Sequence, residues 1–259
     1  MLQIQCNIKT EGNITKPRTW VIITISVVWL LLTVPACRKD TCPTAEQPTG
    51  RTLLEFDIHQ DMNLILLTTF AEPPQFAIWL EDPVTGQLKT IFVTYRSATG
   101  DMVGKAECPA CLPRWFEVYE QETGKVGYPT QDNPAPAAVT VPTPQDEHFK
   151  ITYEIQPGSK WICWLEMSLA GDFNEKYQEY DSEAKTVDWD FSGQPSLIYR
   201  AEITAVPGNQ FVPELYGKVV LNSPDNQAVQ PVTDDITTAK DVFKPIKISV
   251  IQPPPNTTK

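Results

Sequence analysis

The chain has 259 residues, with 21 basic against 32 acidic side chains and a net charge of −11. Phosphate backbones repel so acidic a surface, which argues against a nucleic-acid partner. The 24 prolines against 12 glycines favour loops and edge strands, because proline breaks helix interiors and central strands.

In chain order, the first signal is an apolar run from Trp20 to Val34, with Lys16 and Arg18 just upstream and Val34-Pro35-Ala36-Cys37 at its end. A basic start, an apolar stretch and a small residue before the cut form an export signal. The final four residues resemble a bacterial lipobox, which implies that Cys37 carries lipid and becomes residue one. Residues 1–36 are then the signal peptide and the membrane is met through lipid on Cys37. An uncleaved anchor helix and an ordinary signal are the alternatives, since the 17 residues from Trp20 to Ala36 approach the shortest membrane-spanning helices. Removing residues 1–36 takes away Lys9, Lys16, Arg18 and Glu11, which moves the net charge from −11 to −13. Residues 37–50 are polar and proline-bearing and read as a tether.

Order is expected from Thr52, where Thr52–Ile58 alternates like a half-buried strand. Asn63–Phe70 is a second short apolar run. Phe76–Asp82 and Leu88–Thr94, joined by Pro83-Val-Thr-Gly-Gln87, form a hairpin pattern of β-branched and aromatic arms around a Pro/Gly turn. Further strands are expected at Trp115–Tyr119, Phe149–Ile155, Trp161–Met167, Leu197–Ile203, Val219–Asn222 and Ile246–Ile251. Pro129–Pro144 reads as a long connection within one domain spanning 51–253. Ile236, Ala239 and Phe243 at i, i+3 and i+7 predict a short surface helix within 233–243, and residues 254–259 a disordered tail. Short strands between turn residues predict an all-β fold, an antiparallel immunoglobulin/fibronectin-like sandwich after the N-terminal signal or anchor helix.

Four cysteines remain beyond Cys37 and the signal: Cys42, Cys108, Cys111 and Cys163. In an oxidising compartment they are disulfide candidates, and four cysteines allow three pairings. Cys108-Pro-Ala-Cys111 also has the spacing of a redox pair or half a metal site. A haem site needs a histidine where Leu112 stands. A strand expected after Pro113 would withhold the helix N-terminus that activates a redox thiol. The acidic stretch 171–190 offers Asp172 and Glu175 as weak metal ligands, against a reading as a solvated acidic loop. Trp189, between Asp188 and Asp190, is the best candidate for an exposed ligand contact. His59 and His148 are the only histidines and stand in no recognisable catalytic context, so both read as surface groups. The sequence has no nucleophile elbow, phosphate loop or dinucleotide fingerprint, and no cofactor is expected.

Three stretches together resemble a known family: Gln75–Thr94, Leu112-Pro113 with Trp115, and Asp172-Phe-Asn-Glu-Lys-Tyr177 with Gly193-Gln-Pro-Ser-Leu-Ile-Tyr199. Across roughly residues 52–204 the chain is similar to a family of predicted periplasmic bacterial proteins of unknown function. The resemblance implies an exported or lipid-anchored β-sandwich. Cys108 and Cys111 depart from the family pattern, which has a charged and small-residue run before Leu-Pro, so no family site is carried over. The expectation is a lipid-anchored envelope protein that binds another envelope or surface protein without catalysis of its own. A redox or metal-handling accessory using Cys108 and Cys111, and a structural subunit of a surface assembly, are the alternatives.

Overall fold

The computed structural model describes residues 51–103, 108, 111–182, 185–187, 193–220 and 228–253. The signal, the tether with Cys37 and Cys42, Trp189 and the tail lie outside the described residues. The elements run β1 (Thr52–Gln60), α1 (Met62–Leu66), β2 (Gln75–Glu81), β3 (Leu88–Thr94), α2 (Tyr95–Thr99), α3 (Pro113–Thr123), β4 (Thr140–Val141), β5 (His148–Ile155), β6 (Lys160–Ser168), β7 (Tyr180–Asp181), β8 (Thr186–Val187), β9 (Ser196–Thr204), β10 (Gln210–Phe211), β11 (Glu214–Val219), α4 (Ala239–Val242) and β12 (Phe243–Ile251). Strands dominate, as composition and periodicity predict. Among the described residues no helix is long and apolar enough to cross a membrane.

Two sheets carry the structure. One has the order β10-β12-β1-β5, the other β11-β9-β6-β2-β3-β4, and β7-β8 form a small ribbon. All pairings are antiparallel except β3 with β4. β1 shows the simplest link from sequence to packing. Leu54, Phe56 and Ile58 point into the core while Glu55, Asp57 and His59 stay half-buried on the outer face, the period-2 consequence of the pleat. Its inner residues meet Phe76, Ile78 and Leu80 of β2 and Leu165 and Met167 of β6 in one cluster, so the two sheets pack face to face.

The centre of the six-stranded sheet is buried on both sides. Ala77 and Trp79 of β2 face away from the other sheet, into a second cluster with Leu112, Trp115, Phe116 and Tyr119. This is why β2 reads Phe-Ala-Ile-Trp-Leu without alternation: a strand covered on both faces has no polar side. In the turn that joins it to β3, Asp82 Oδ1 accepts from the amides of Val84 and Thr85, both at 2.8 Å, an aspartate turn of the kind the Pro/Gly signal predicts.

Trp115–Tyr119 is not a strand. It is the first half of α3, which covers the outer face of the six-stranded sheet. Pro113 sits at its first turn and Gly124 (φ 69°) at its C-terminal stop, the expected asymmetry of helix ends. Leu112, Trp115, Phe116 and Tyr119 repeat at i, i+3, i+4 and i+7 and all are buried. Five residues of aromatic and β-branched character imitate a strand; the helical spacing across the eight residues 112–119 does not. Asn63–Phe70 likewise opens as α1, because Asp61 Oδ1 accepts from the amides of Asn63 (2.9 Å) and Leu64 (3.2 Å) and so caps a helix. The helix expected within 233–243 is the four-residue α4. Ile236, Ala239 and Phe243 are buried in the inter-sheet core, so it faces inward and is no surface helix.

Candidate functional site

The cysteines are divided by the six-stranded sheet. Cys163 lies in the inter-sheet core, and Cys108 and Cys111 lie under α3 on the opposite face. The sheet therefore removes any pairing of Cys163 with the other two. Cys111 and Cys163 are free thiols, so the expected disulfide is absent between Cys108 and Cys111 as well. Burial pushes the Cys163 thiol far above its ordinary pKa. Cys111 Sγ stands 3.7 Å from Ser97 Oγ.

A helix, not a strand, follows Cys111, so the pair does precede a helix N-terminus. The amides of that terminus are engaged elsewhere. Glu166 reaches up from β6, fully buried, and accepts from the Arg114 amide (3.2 Å), the Trp115 amide (2.7 Å) and the Ser196 hydroxyl (2.6 Å). A carboxylate from the sheet thus caps the helix that covers it, satisfying amides that have no partner within the helix. Burial pushes the Glu166 carboxyl up to about 7 against these three bonds. The sequence holds a trace of this role: one acid inside the apolar strand Trp164-Leu-Glu-Met167. Its partners lie about 50 residues away along the chain for α3 and 30 for Ser196.

The acidic stretch serves as a clamp. Asp172 and Gly193 form a parallel bridge, and the Gln194 amide donates to the Asp172 carbonyl at 2.9 Å. A side chain on Gly193 would place its Cβ 2.5 Å from that carbonyl oxygen. Gln194 and Asn174 then hold the 235–237 segment through Thr237 and the Asp235 carbonyl. Asp235 receives Lys218 Nζ at 2.9 Å and the Tyr177 hydroxyl at 2.9 Å. Hydrogen bonds from Thr233, Lys218 and Tyr177 hold its carboxyl well below the usual range. Asp172 itself is buried, and burial raises its carboxyl to about 6. Glu175 is exposed, so the two proposed metal ligands occupy different environments.

Among the described residues, two places combine exposure with ligand-binding chemistry. The first is a groove of about 850 Å³ lined by Phe70, Glu72, Pro73, Tyr95, Arg96, Asp101, Val103 and Pro142, among others. Glu72 and Arg96 form an ion pair in its wall, and the Tyr95 hydroxyl lies 3.4 Å from Asp101 Oδ2. Tyr95 and Val103 are exposed, so the groove offers apolar surface beside two carboxylates. No signal in the sequence marks it, because its walls come from three separate connections.

The second is on the outer face of the four-stranded sheet, where two histidines that read as separate surface groups come together. β1 and β5 pair in a register that sets His59 opposite His148. Their rings stack at 4.0 Å between centroids. His148 Nε2 lies 2.5 Å and His59 Nε2 3.8 Å from Asp57 Oδ1. The Asp57 carboxyl is held below its ordinary value, chiefly by the hydrogen bond from His148. Asp57-Ile-His59 within a strand already places two ligand types on one face; the pairing of β1 with β5, about 90 residues apart, is what sequence reading misses. Comparison with protein-family models, with curated proteins and with solved structures returned no match.

Proposed function

We propose that this chain is an exported, lipid-anchored binding protein, an immunoglobulin/fibronectin-like sandwich without catalysis of its own that holds a segment of another envelope protein. The export pattern ending at Val34-Pro35-Ala36-Cys37 and the resemblance to periplasmic proteins support the location. The observation that carries the activity is the groove at Tyr95, Arg96 and Val103, whose apolar wall and adjacent Asp101 suit an extended peptide with apolar side chains and a basic one. The net charge of −13 after removal of residues 1–36 favours a basic partner, whose association weakens as salt rises. Two of the buried ionisable groups support the reading in another way: Glu166 and Lys218 hold structural elements together.

Location is tested by mass spectrometry of the native protein. The expected species begins at an acylated Cys37, and an intact Met1 in membrane-extracted protein overturns the lipoprotein assignment. Binding is tested by placing a photo-crosslinking residue at Val103, 82 % exposed in the groove, or at Val84, 91 % exposed on the β2–β3 turn, in the full-length chain. The expected result is an adduct with one basic envelope protein from position 103, absent from position 84, and reduced by high salt and by Tyr95→Ala. Equal adducts from both positions, or none from 103, reject the groove.

A further inference from the structure

The chain has two histidines in 259 residues, and the fold sets them directly opposite each other on neighbouring strands with a carboxylate between them. The donor atoms of Asp57, His59 and His148 all lie within 4.8 Å of one another. Two imidazole nitrogens and one carboxylate oxygen are the donor set that zinc, copper and nickel prefer, whereas magnesium and calcium take oxygen. Around one such ion, with bonds of about 2.0–2.2 Å, ligand atoms stand roughly 3–3.5 Å apart. The His148 distance of 2.5 Å and the His59 distance of 3.8 Å bracket that spacing, so small side-chain rotations suffice and the backbone stays as it is. Strands hold ligands more precisely than loops do.

The surrounding charges leave the site open. Lys150 of β5 approaches the other Asp57 oxygen, Oδ2, at 3.5 Å, and is itself engaged by Glu55 at 2.8 Å. Lys247 of β12 stands in register with Asp57 on its other side. Oδ1 is left to the two histidines. All three side chains are partly exposed, with His59 and His148 near 42 % and 45 %, so an ion can reach them from solvent without any opening of the fold.

We infer that Asp57, His59 and His148 bind one divalent transition-metal ion of the zinc–copper–nickel class, through Oδ1 and the two Nε2 atoms, with the remaining coordination positions open to water or to an external ligand. The site is independent of the groove and of either thiol core. A metal ligand must be deprotonated, so acid weakens binding.

The test is calorimetric titration of the untagged, full-length, detergent-solubilised protein with ZnCl2 at pH 7.5, with MgCl2 as the control ion. The expected result is one zinc per chain with a micromolar Kd, no response to magnesium, and at least a tenfold weakening in each of His59→Gln, His148→Asn and Asp57→Asn. In chelator each variant should keep the parent's far-UV spectrum, because the replaced groups are partly exposed and the strand pairing of β1 with β5 does not depend on them. A Cu2+-loaded sample should show nitrogen hyperfine structure that His59→Gln/His148→Asn abolishes, while Cys111→Ser preserves both signals. Zinc binding no tighter than millimolar, or a double histidine variant that binds as the parent does, overturns the assignment.

Discussion

Between pH 8 and pH 5 the protein should become more stable, and Glu166→Gln should remove most of that gain. Burial raises the Glu166 carboxyl from 4.5 to about 7. A carboxyl whose folded pKa is raised binds its proton more tightly in the folded chain than in the unfolded one. Between pH 4.5 and 7 the folded state therefore carries more protons, and stability falls as pH rises through that window. A shift of this size corresponds to about 3 kcal/mol. Asp172, raised to about 6 by burial, acts with the same sign. The lowered carboxyls of Asp57 and Asp235 act with the opposite sign, but their contribution is lost only as pH falls through the acid range below about 4. Urea midpoints at pH 5 and pH 8 decide the matter. A parent protein more stable at pH 8, or a glutamine variant with an undiminished slope, contradicts the role given to Glu166. Glutamine keeps an acceptor for the Trp115 amide, so the variant tests ionisation without removing the cap.

Trp115→Ala should cost about 3–5 kcal/mol, the usual range for deleting a fully buried aromatic side chain. Trp115 has 0 % exposure and packs against Phe116 and Tyr119 at ring distances of 5.4 and 5.8 Å. Its indole N–H donates to Thr90 Oγ1 at 3.1 Å, and the Thr90 amide donates to Glu122 Oε1 at 2.7 Å. Truncation therefore empties the centre of the second core and removes one of the two ties from α3 to β3. Trp115→Phe keeps most of the volume and should cost far less, mainly the one hydrogen bond at about 1 kcal/mol. Val126→Ala, at a fully exposed position, should stay within about 0.5 kcal/mol. Denaturant unfolding measures all three, and a Trp115→Ala cost below about 1 kcal/mol would show that α3 is no part of the folded core.

The strands were legible because their signals are local. β1, the β2–β3 hairpin, β5, β6, β9 and β12 each carry their pattern within about nine residues. α3 was misread because Trp115–Tyr119 is apolar enough to pass as a strand, while its helical evidence lies outside that window, at Leu112, Pro113 and Gly124. The sites were less legible for a different reason. Asp57 and His59 share a face by simple alternation, but His148 joins them only through the pairing of β1 with β5. Glu166 reveals itself as an unusual acid in an apolar strand; what it binds is decided by a helix elsewhere in the chain. Nothing local distinguishes either arrangement from a solvated surface or a strand edge.

The six-stranded sheet is a wall shared by two unequal rooms. The larger is closed by a second sheet and the smaller chiefly by one eleven-residue helix, and an opening confined to the helix layer would cost less than global unfolding. The free thiols stand on different sides of that wall. Cys111 would meet solvent in such a partial opening, whereas Cys163 is reached only when the sheets part. Their rates of chemical modification are thus two clocks on one chain, the fast one timing the helix layer and the slow one timing the whole fold.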